Sequence, residues 1–267
     1  MLILDTNQAE QLPKPQRNRQ RELCLGELIV AEILLRSEAA RNRTFKRLRG
    51  YRVRLGVQPA QLLDDLAQLS ASEIISYRPF LAASEPLTRA LLKRIRRGPV
   101  TPRFLMWAQA VKRNNLQFGD MLVESAKRVR DAFRTAKVGK ASTMQDVMPL
   151  AEGVDSFIGE LVITGVRNGG QRTLKESDER FYASVMANPY LRHFYLGLLH
   201  YLIAVSKAWE DQRLHLDPLP KRDDWTDLAL LLYVRDARDL IITADAQVRT
   251  RVLAVVPHAR IGSAAQV

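Results

Sequence analysis

The sequence predicts an α/β fold, a central parallel sheet flanked by helices, with a mostly helical insertion in the middle of the chain. Three observations predict it. Short apolar runs, Leu2-Ile3-Leu4 and Leu240-Ile241-Ile242-Thr243, stand near the two ends, and each leads into an aspartate, Asp5 and Asp245. Between them, apolar residues recur at three- and four-residue spacing, the period of a helix. Parallel strands need long crossovers, usually helices, and the chain supplies them.

Taken in order, Leu2-Ile3-Leu4 is a short buried strand, and Pro13 and Pro15 mark the loop or broken helix after it. Glu22-Leu23-Cys24-Leu25 is a short strand broken by Gly26, and Glu27 to Ser37 is a helix with Leu28, Ala31, Ile33, Leu34 and Leu35 on a broad apolar face. A basic run from Arg36 to Arg54 follows, against the single acid Glu38. Gln58 to Leu69 is a helix, Glu73 to Tyr77 a strand stopped by Pro79, and Leu87 to Arg97 a basic amphipathic helix stopped by Gly98-Pro99. The middle gives helices over Arg103 to Asn114 and Phe118 to Lys137, and a glycine-containing loop over Gly165 to Gly170. Helices over Asp178 to Met186 and Pro189 to Trp209 come next, then a linker at Pro218 and Pro220. The chain finishes with a helix over Asp224 to Val234, the strand ending before Asp245, a helix over Ala246 to Leu253, and a strand Ala254-Val255-Val256.

A hydrophobic fraction of 46% over 267 residues supports a sizeable core and excludes a disordered chain. The net charge of +12, from 41 Lys and Arg against 29 Asp and Glu, favours polyanions as partners, nucleic acid foremost. One cysteine, Cys24, excludes an intramolecular disulfide and a cysteine-rich zinc site, and reads as a small buried hydrophobe. No run reaches the roughly 20 apolar residues of a membrane helix. Met1-Leu2-Ile3-Leu4 is too short for a leader and Asp5 interrupts it, so the expected location is cytoplasmic.

In an open α/β sheet, chemistry gathers at the carboxyl ends of the strands, where Asp5 and Asp245 fall. Carboxylates are hard oxygen ligands suited to Mg²⁺ or Mn²⁺, and such ions serve phosphodiester cleavage without histidine or cysteine. The four histidines show no ligand spacing, and His193 and His200 read as packed or hydrogen-bonded residues. Each acid also has a plain structural role open to it. Asp5 can end a strand in a turn, and Glu27 rivals Glu32 as the inward acid of its helix. Asp227 can serve the helix dipole, while Asp224 and Asp245 can be N-caps.

Four segments carry a family resemblance. Met1-Leu2-Ile3-Leu4-Asp5-Thr6-Asn7 resembles the opening strand and first acid of PIN-domain nucleases, and Gly26-Glu27-Leu28-Ile29-Val30-Ala31-Glu32-Ile33-Leu34 resembles their second helix, with Glu32 as its acid. Asp224-Trp225-Thr226-Asp227-Leu228-Ala229-Leu230 resembles the helix that opens with the third acid, placed at Asp227, and Leu240-Ile241-Ile242-Thr243-Ala244-Asp245 the late strand, threonine and fourth acid. The resemblance implies a discontinuous nuclease domain over 1–83 and 186–267, with a helical insertion over 84–185 longer than compact members carry. It implies metal-dependent endoribonuclease activity on single-stranded RNA, with Asp5, Glu32, Asp227 and Asp245 as catalytic metal-binding acids and Asp224 as a further ligand. Asn7 and Thr243 would support them through hydrogen bonds, and the cofactor would be Mg²⁺ or Mn²⁺.

Arg41, Arg43, Lys46, Arg47, Arg49 and Arg52, with Arg94 and Arg97, are the expected contacts to RNA phosphates. Phe45 and Tyr51, interleaved with them, read first as packing residues and second as platforms for bases. Trp107, Trp209 and Trp225 read as core anchors. Two other functions fit the same pattern: a catalytically silent scaffold binding nucleic acid or a protein partner through the insertion, and a structure-specific DNA nuclease.

Overall fold

A computed structural model of the chain describes residues 1–5, 8–13, 22–82, 84–97, 99–135, 159–160, 162–167, 177–210 and 224–264. Among them, five strands form one sheet: β1 (Leu2–Leu4), β2 (Glu22–Gly26), β3 (Arg52–Gly56), β4 (Leu240–Ile242) and β5 (Arg260–Gly262). Their order is β3-β2-β1-β4-β5, and every neighbouring pair is parallel. The helices are α1 (Glu27–Leu35), α2 (Glu38–Leu48), α3 (Pro59–Gln68), α4 (Ala71–Ser76), α5 (Pro86–Arg97), α6 (Pro102–Thr135), α7 (Asp178–Ala187), α8 (Pro189–Glu210), α9 (Asp224–Leu231) and α10 (Ala246–Val255). The α/β class and the helical middle are those the sequence predicts. No helix among the described residues is long and apolar enough to cross a membrane.

Position in the sheet explains strand composition. β1 and β4 lie at the centre, covered on both faces, and every residue of each is buried. β3 and β5 are the outer strands and begin with exposed arginines, Arg52 and Arg260. Charge on an edge strand discourages pairing with another chain. That edge character hides the alternation of β3, whose residues Arg52 to Arg54 fall in sequence within the basic run from Arg36 to Arg54.

Several elements differ from expectation for identifiable reasons. Glu73 to Tyr77 is not a strand. Ser70 and Glu73 form a capping box that starts α4, and this local pairing outweighs the β-branched pair Ile74-Ile75. The two expected middle helices are one, α6, because Asn115 is absorbed without a break: its side chain is buried and donates to Thr226 Oγ1 at 3.2 Å. Lys137 lies outside the described residues. Residues 162–167 are helical, not a loop, with Val162 and Val166 buried one turn apart, and 168–170 lie outside. At the C-terminal end, the helical face of Val248 and Val252 carries α10 on through Val255, and the last strand is Arg260–Gly262 rather than Ala254–Val256.

Gly26 does not break β2; it ends it, in register with Gly56 of β3. Both must lack a side chain because the ring of Tyr233 lies against them. A Cβ on Gly26 would sit 2.9 Å from its hydroxyl oxygen, and one on Gly56 would collide with its ring. Tyr233 donates to the Val57 carbonyl at 2.6 Å, and α9 stops at Leu231 instead of running to Val234, the N–H groups of Leu232, Tyr233 and Val234 turning tightly onto the carbonyls three residues before them. Pro15, Pro218 and Pro220 lie outside the described residues.

One hydrophobic cluster runs through the molecule. It includes Leu4, Leu25 and Ile241 of the sheet, Ile33 of α1, and Phe104, Val111 and Leu122 of α6. The long helix α6 packs on α1, α8 and α9, so part of the middle segment builds the same core as the terminal strands. Cys24 is fully buried in β2, and burial pushes its thiol pKa up, away from reactivity.

Candidate active site at the carboxyl edge of the sheet

The carboxyl ends of β1 and β4 bring two sequence-predicted acids together. The Asp5 N–H donates to the Ile242 carbonyl at 3.0 Å, and the Thr243 N–H to the Gly262 carbonyl at 3.0 Å, so the ladders run one residue past the strands. Asp5 and Thr243 are thereby level on neighbouring strands. The Thr243 hydroxyl donates to Asp5 Oδ2 at 2.8 Å and accepts from the Asp245 N–H at 3.0 Å. Asp245 itself caps α10, with Oδ1 accepting from the N–H groups of Gln247 at 2.6 Å and Val248 at 3.3 Å. Asp5 is 7% exposed, whereas Asp245 faces solvent. One threonine thus links a buried carboxylate to the backbone of an exposed one.

The other acids stand on helices around α6. Glu32 is half-buried on α1, between the fully packed Ala31 and Ile33. Asp224 and Asp227 are half-buried at the start of α9. Tyr201 donates to Asp224 Oδ2 at 2.5 Å. Trp225 fixes this helix, stacked on Phe118 of α6 at 5.3 Å and edge-on to Phe194 at 5.8 Å. Among the described residues, no three His, Cys, Asp or Glu side chains stand close enough together to hold a metal ion. The structure therefore brings Asp5 and Asp245 together and does not gather Glu32, Asp227 or Asp224 with them into a ligand cluster. Asn7 lies outside the described residues.

This donor set still fits a hard cation. Mg²⁺ is ordinarily held by one or two carboxylates, keeping several waters or taking substrate phosphates, rather than by an all-protein cage. The hydrogen bonds to Asp5 fall on Oδ2 and those to Asp245 on Oδ1, which leaves each carboxylate a second oxygen.

Glu27, the rival of Glu32, is an acid whose environment strongly favours the protonated form. It opens α1 just past β2 and is buried. Burial raises its pKa to about 7 and the charge of Glu85 adds to the shift, while a hydrogen bond from the Gln58 backbone opposes it. The signal in the sequence was a glutamate placed directly after a strand and a glycine.

The basic residues are more engaged than their density suggests. Arg36 and Arg43 reach Glu10 at 2.8 and 3.6 Å, and Arg52 and Arg54 share Glu22. Arg41 donates to the Leu34 carbonyl at 2.9 Å and Arg49 to the Ile95 carbonyl at 3.3 Å. Arg94 lies 5.7 Å from the centre of the Phe104 ring. Lys46 is exposed and Arg47 half-buried, and the Arg97 side chain is outside the described residues. The two expected clusters do meet, since α2 packs on α5. Arg52, however, begins β3 beside Glu22, at the amino end of the sheet, opposite Asp5. Phe45 and Tyr51 are buried packing residues, and Tyr51 donates to the Pro13 carbonyl at 3.1 Å. His193 Nδ1 meets the Val234 carbonyl at 2.8 Å, and burial lowers the pKa of both His193 and His200.

No family model, curated protein or solved structure matches this chain.

Proposed function

We propose that the chain is a metal-dependent nuclease that hydrolyses phosphodiester bonds of single-stranded RNA, on the PIN-like plan its sequence resembles. The observation that carries this reading is the Asp5–Thr243–Asp245 constellation at the carboxyl edge of a parallel sheet, the place where open α/β sheets bind ligands. The net charge of +12 supports a polyanionic substrate.

Mg²⁺ or Mn²⁺, when bound, would supply polarisation of the phosphate and activation of water. The chain's own residues do the positioning. Thr243 holds the Asp5 carboxylate by Oδ2, and the first turn of α10 holds Asp245 by Oδ1. Glu32 and Asp227 are the proposed additional acids, brought from α1 and α9, both of which pack on α6. The test is cleavage of labelled single-stranded RNA, single-stranded DNA and a flapped duplex, each with Mn²⁺, Mg²⁺ and chelator. The reading expects RNA to be cut fastest, and only with metal. Faster cutting of the flap would instead make this a DNA nuclease.

A second reading has one observation in its favour. Because Glu32 and Asp227 are not gathered with Asp5 and Asp245, a catalytically silent scaffold that binds RNA or a protein partner also fits. Tight, salt-sensitive binding of intact RNA with every metal would support it.

A further inference from the structure

We propose that the flank of α10 and β5 is a track for single-stranded RNA, in which Arg249 and Arg260 bind phosphates on the strand leaving the Asp5–Asp245 site. The inference rests on the nucleic-acid reading above and assigns that reading a surface which the density of basic residues in the sequence did not indicate.

A groove of about 420 Å³ runs along this flank, lined by Arg249, Leu253, Leu240 and residues of β5, Arg260 among them. It starts beside the candidate site. Arg249 lies four residues past Asp245 in the same helix, about 6 Å along the axis. Leu253, one further turn on and on the same side, is 38% exposed and gives bases an apolar floor. At the far end, Leu2, Leu240 and Arg260 are in register across β1, β4 and β5, so they share a face. There a second cavity of about 370 Å³, lined by Arg260, Leu240, Arg238 and Glu22, continues the path past Met1.

Pairing distinguishes this flank from much of the α2–α5 surface. Arg249 and Arg260 are exposed, and among the described residues neither guanidinium is paired with an acid. On α2, by contrast, Arg43 is ion-paired with Glu10 and Arg41 donates to the Leu34 carbonyl. The acids near the track are Asp245 at its start and Glu22, Asp236 and the buried Asp239 at its end, with Asp239 paired to the Met1 ammonium. Glu22 is held by Arg52 and Arg54, and Asp236 by Arg235 and Arg238. Exposed guanidiniums lining one groove suit a phosphate backbone, because each can bind phosphate with two parallel donors.

The test is binding of a short fluorescein-labelled oligouridylate by the full chain, carrying Asp5→Asn and in chelator, over a series of salt concentrations. The pair R249E/R260E is expected to weaken binding by about tenfold or more and to lower the salt slope by about 1.4, two contacts at roughly 0.7 each. The charge-matched pair R43E/K46E on α2 is expected to weaken it less. R249Q/R260Q carries the same expectation in a milder form if the reversed pair melts early. Equal or greater loss in R43E/K46E, or no binding to lose, overturns the track. Equally tight capture of poly-glutamate by the same arginines overturns it in favour of an acidic protein partner. Cleavage plays no part in this assay. A wild type that never cuts RNA but binds it through Arg249 and Arg260 would sink the nuclease reading and leave the track standing.

Discussion

Thr243 organises the candidate site with a single hydroxyl, which donates to the Asp5 carboxylate and accepts the N–H of Asp245. Asp245 then has two separable tasks, capping α10 and offering a charged oxygen. Asp245→Asn keeps a cap of nearly equal strength and removes the charge, whereas Asp245→Ala removes both. Thermal melts are expected to show the alanine variant about 1 kcal/mol less stable and the asparagine variant close to wild type, with RNA cleavage strongly reduced in both. Full cleavage by Asp245→Asn would confine the residue to capping. Glu27 makes a second prediction. Between the ordinary glutamate value of 4.5 and about 7, the folded state keeps a proton that the unfolded chain has released, so Glu27 lowers stability as pH rises through that window. In denaturant titrations, Glu27→Gln is therefore expected to gain about 2 kcal/mol relative to wild type between about pH 5 and pH 8. Parallel stability curves would contradict the burial argument. At this scale Asp5, Thr243 and Asp245 were legible, because a strand followed by Asp or by Thr-x-Asp fixes their height in a parallel sheet. The pairing of Arg52 with Glu22 was not, since it depends on strands 30 residues apart in the chain lying side by side.

Asn188 is the hinge pin among the elements. It is fully buried. Its amide nitrogen donates to the carbonyls of Ile74 and Tyr77, both at 2.8 Å, and its oxygen accepts from the N–H groups of Tyr190 and Leu191 at the start of α8. One side chain thus ends α4 and begins α8. Asn188→Ala would deprive the Ile74, Ile75 and Tyr77 carbonyls and two amides of that partner, and is expected to cost about 2–4 kcal/mol in denaturant titrations. A loss below about 1 kcal/mol would mean that water replaces the amide there. Periodicity showed most helices because their apolar faces pack on a core. It misread α4, whose identity rests on a capping box and on Asn188 more than a hundred residues away, and it missed the glycine pair that admits Tyr233, for the same reason of sequence distance.

For the whole molecule, the class was legible because central strands of a parallel sheet are apolar throughout and terminal ones can be found without alignment. The edges were not: β3 and β5 carry arginines that read as loop or helix surface. The same ambiguity affects the proposed binding surface: a count of basic residues points to α2 and α5, and the structure pairs several of the counted arginines with carboxylates. What unifies the molecule is a sheet whose carboxyl edge presents linked acids, with a net charge of +12 that on the proposed reading would draw a polyanion to it. The measurement that tests this most directly is Mn²⁺-dependent cleavage of labelled single-stranded RNA by wild type and by Asp5→Asn, with melting temperatures recorded alongside. Asparagine keeps an acceptor for Thr243 and nearly the same volume, so the account predicts an unchanged fold and cleavage reduced by at least about a hundredfold. Equal cleavage by the two proteins at equal stability would contradict it, and would move the chemistry away from the carboxyl edge of β1.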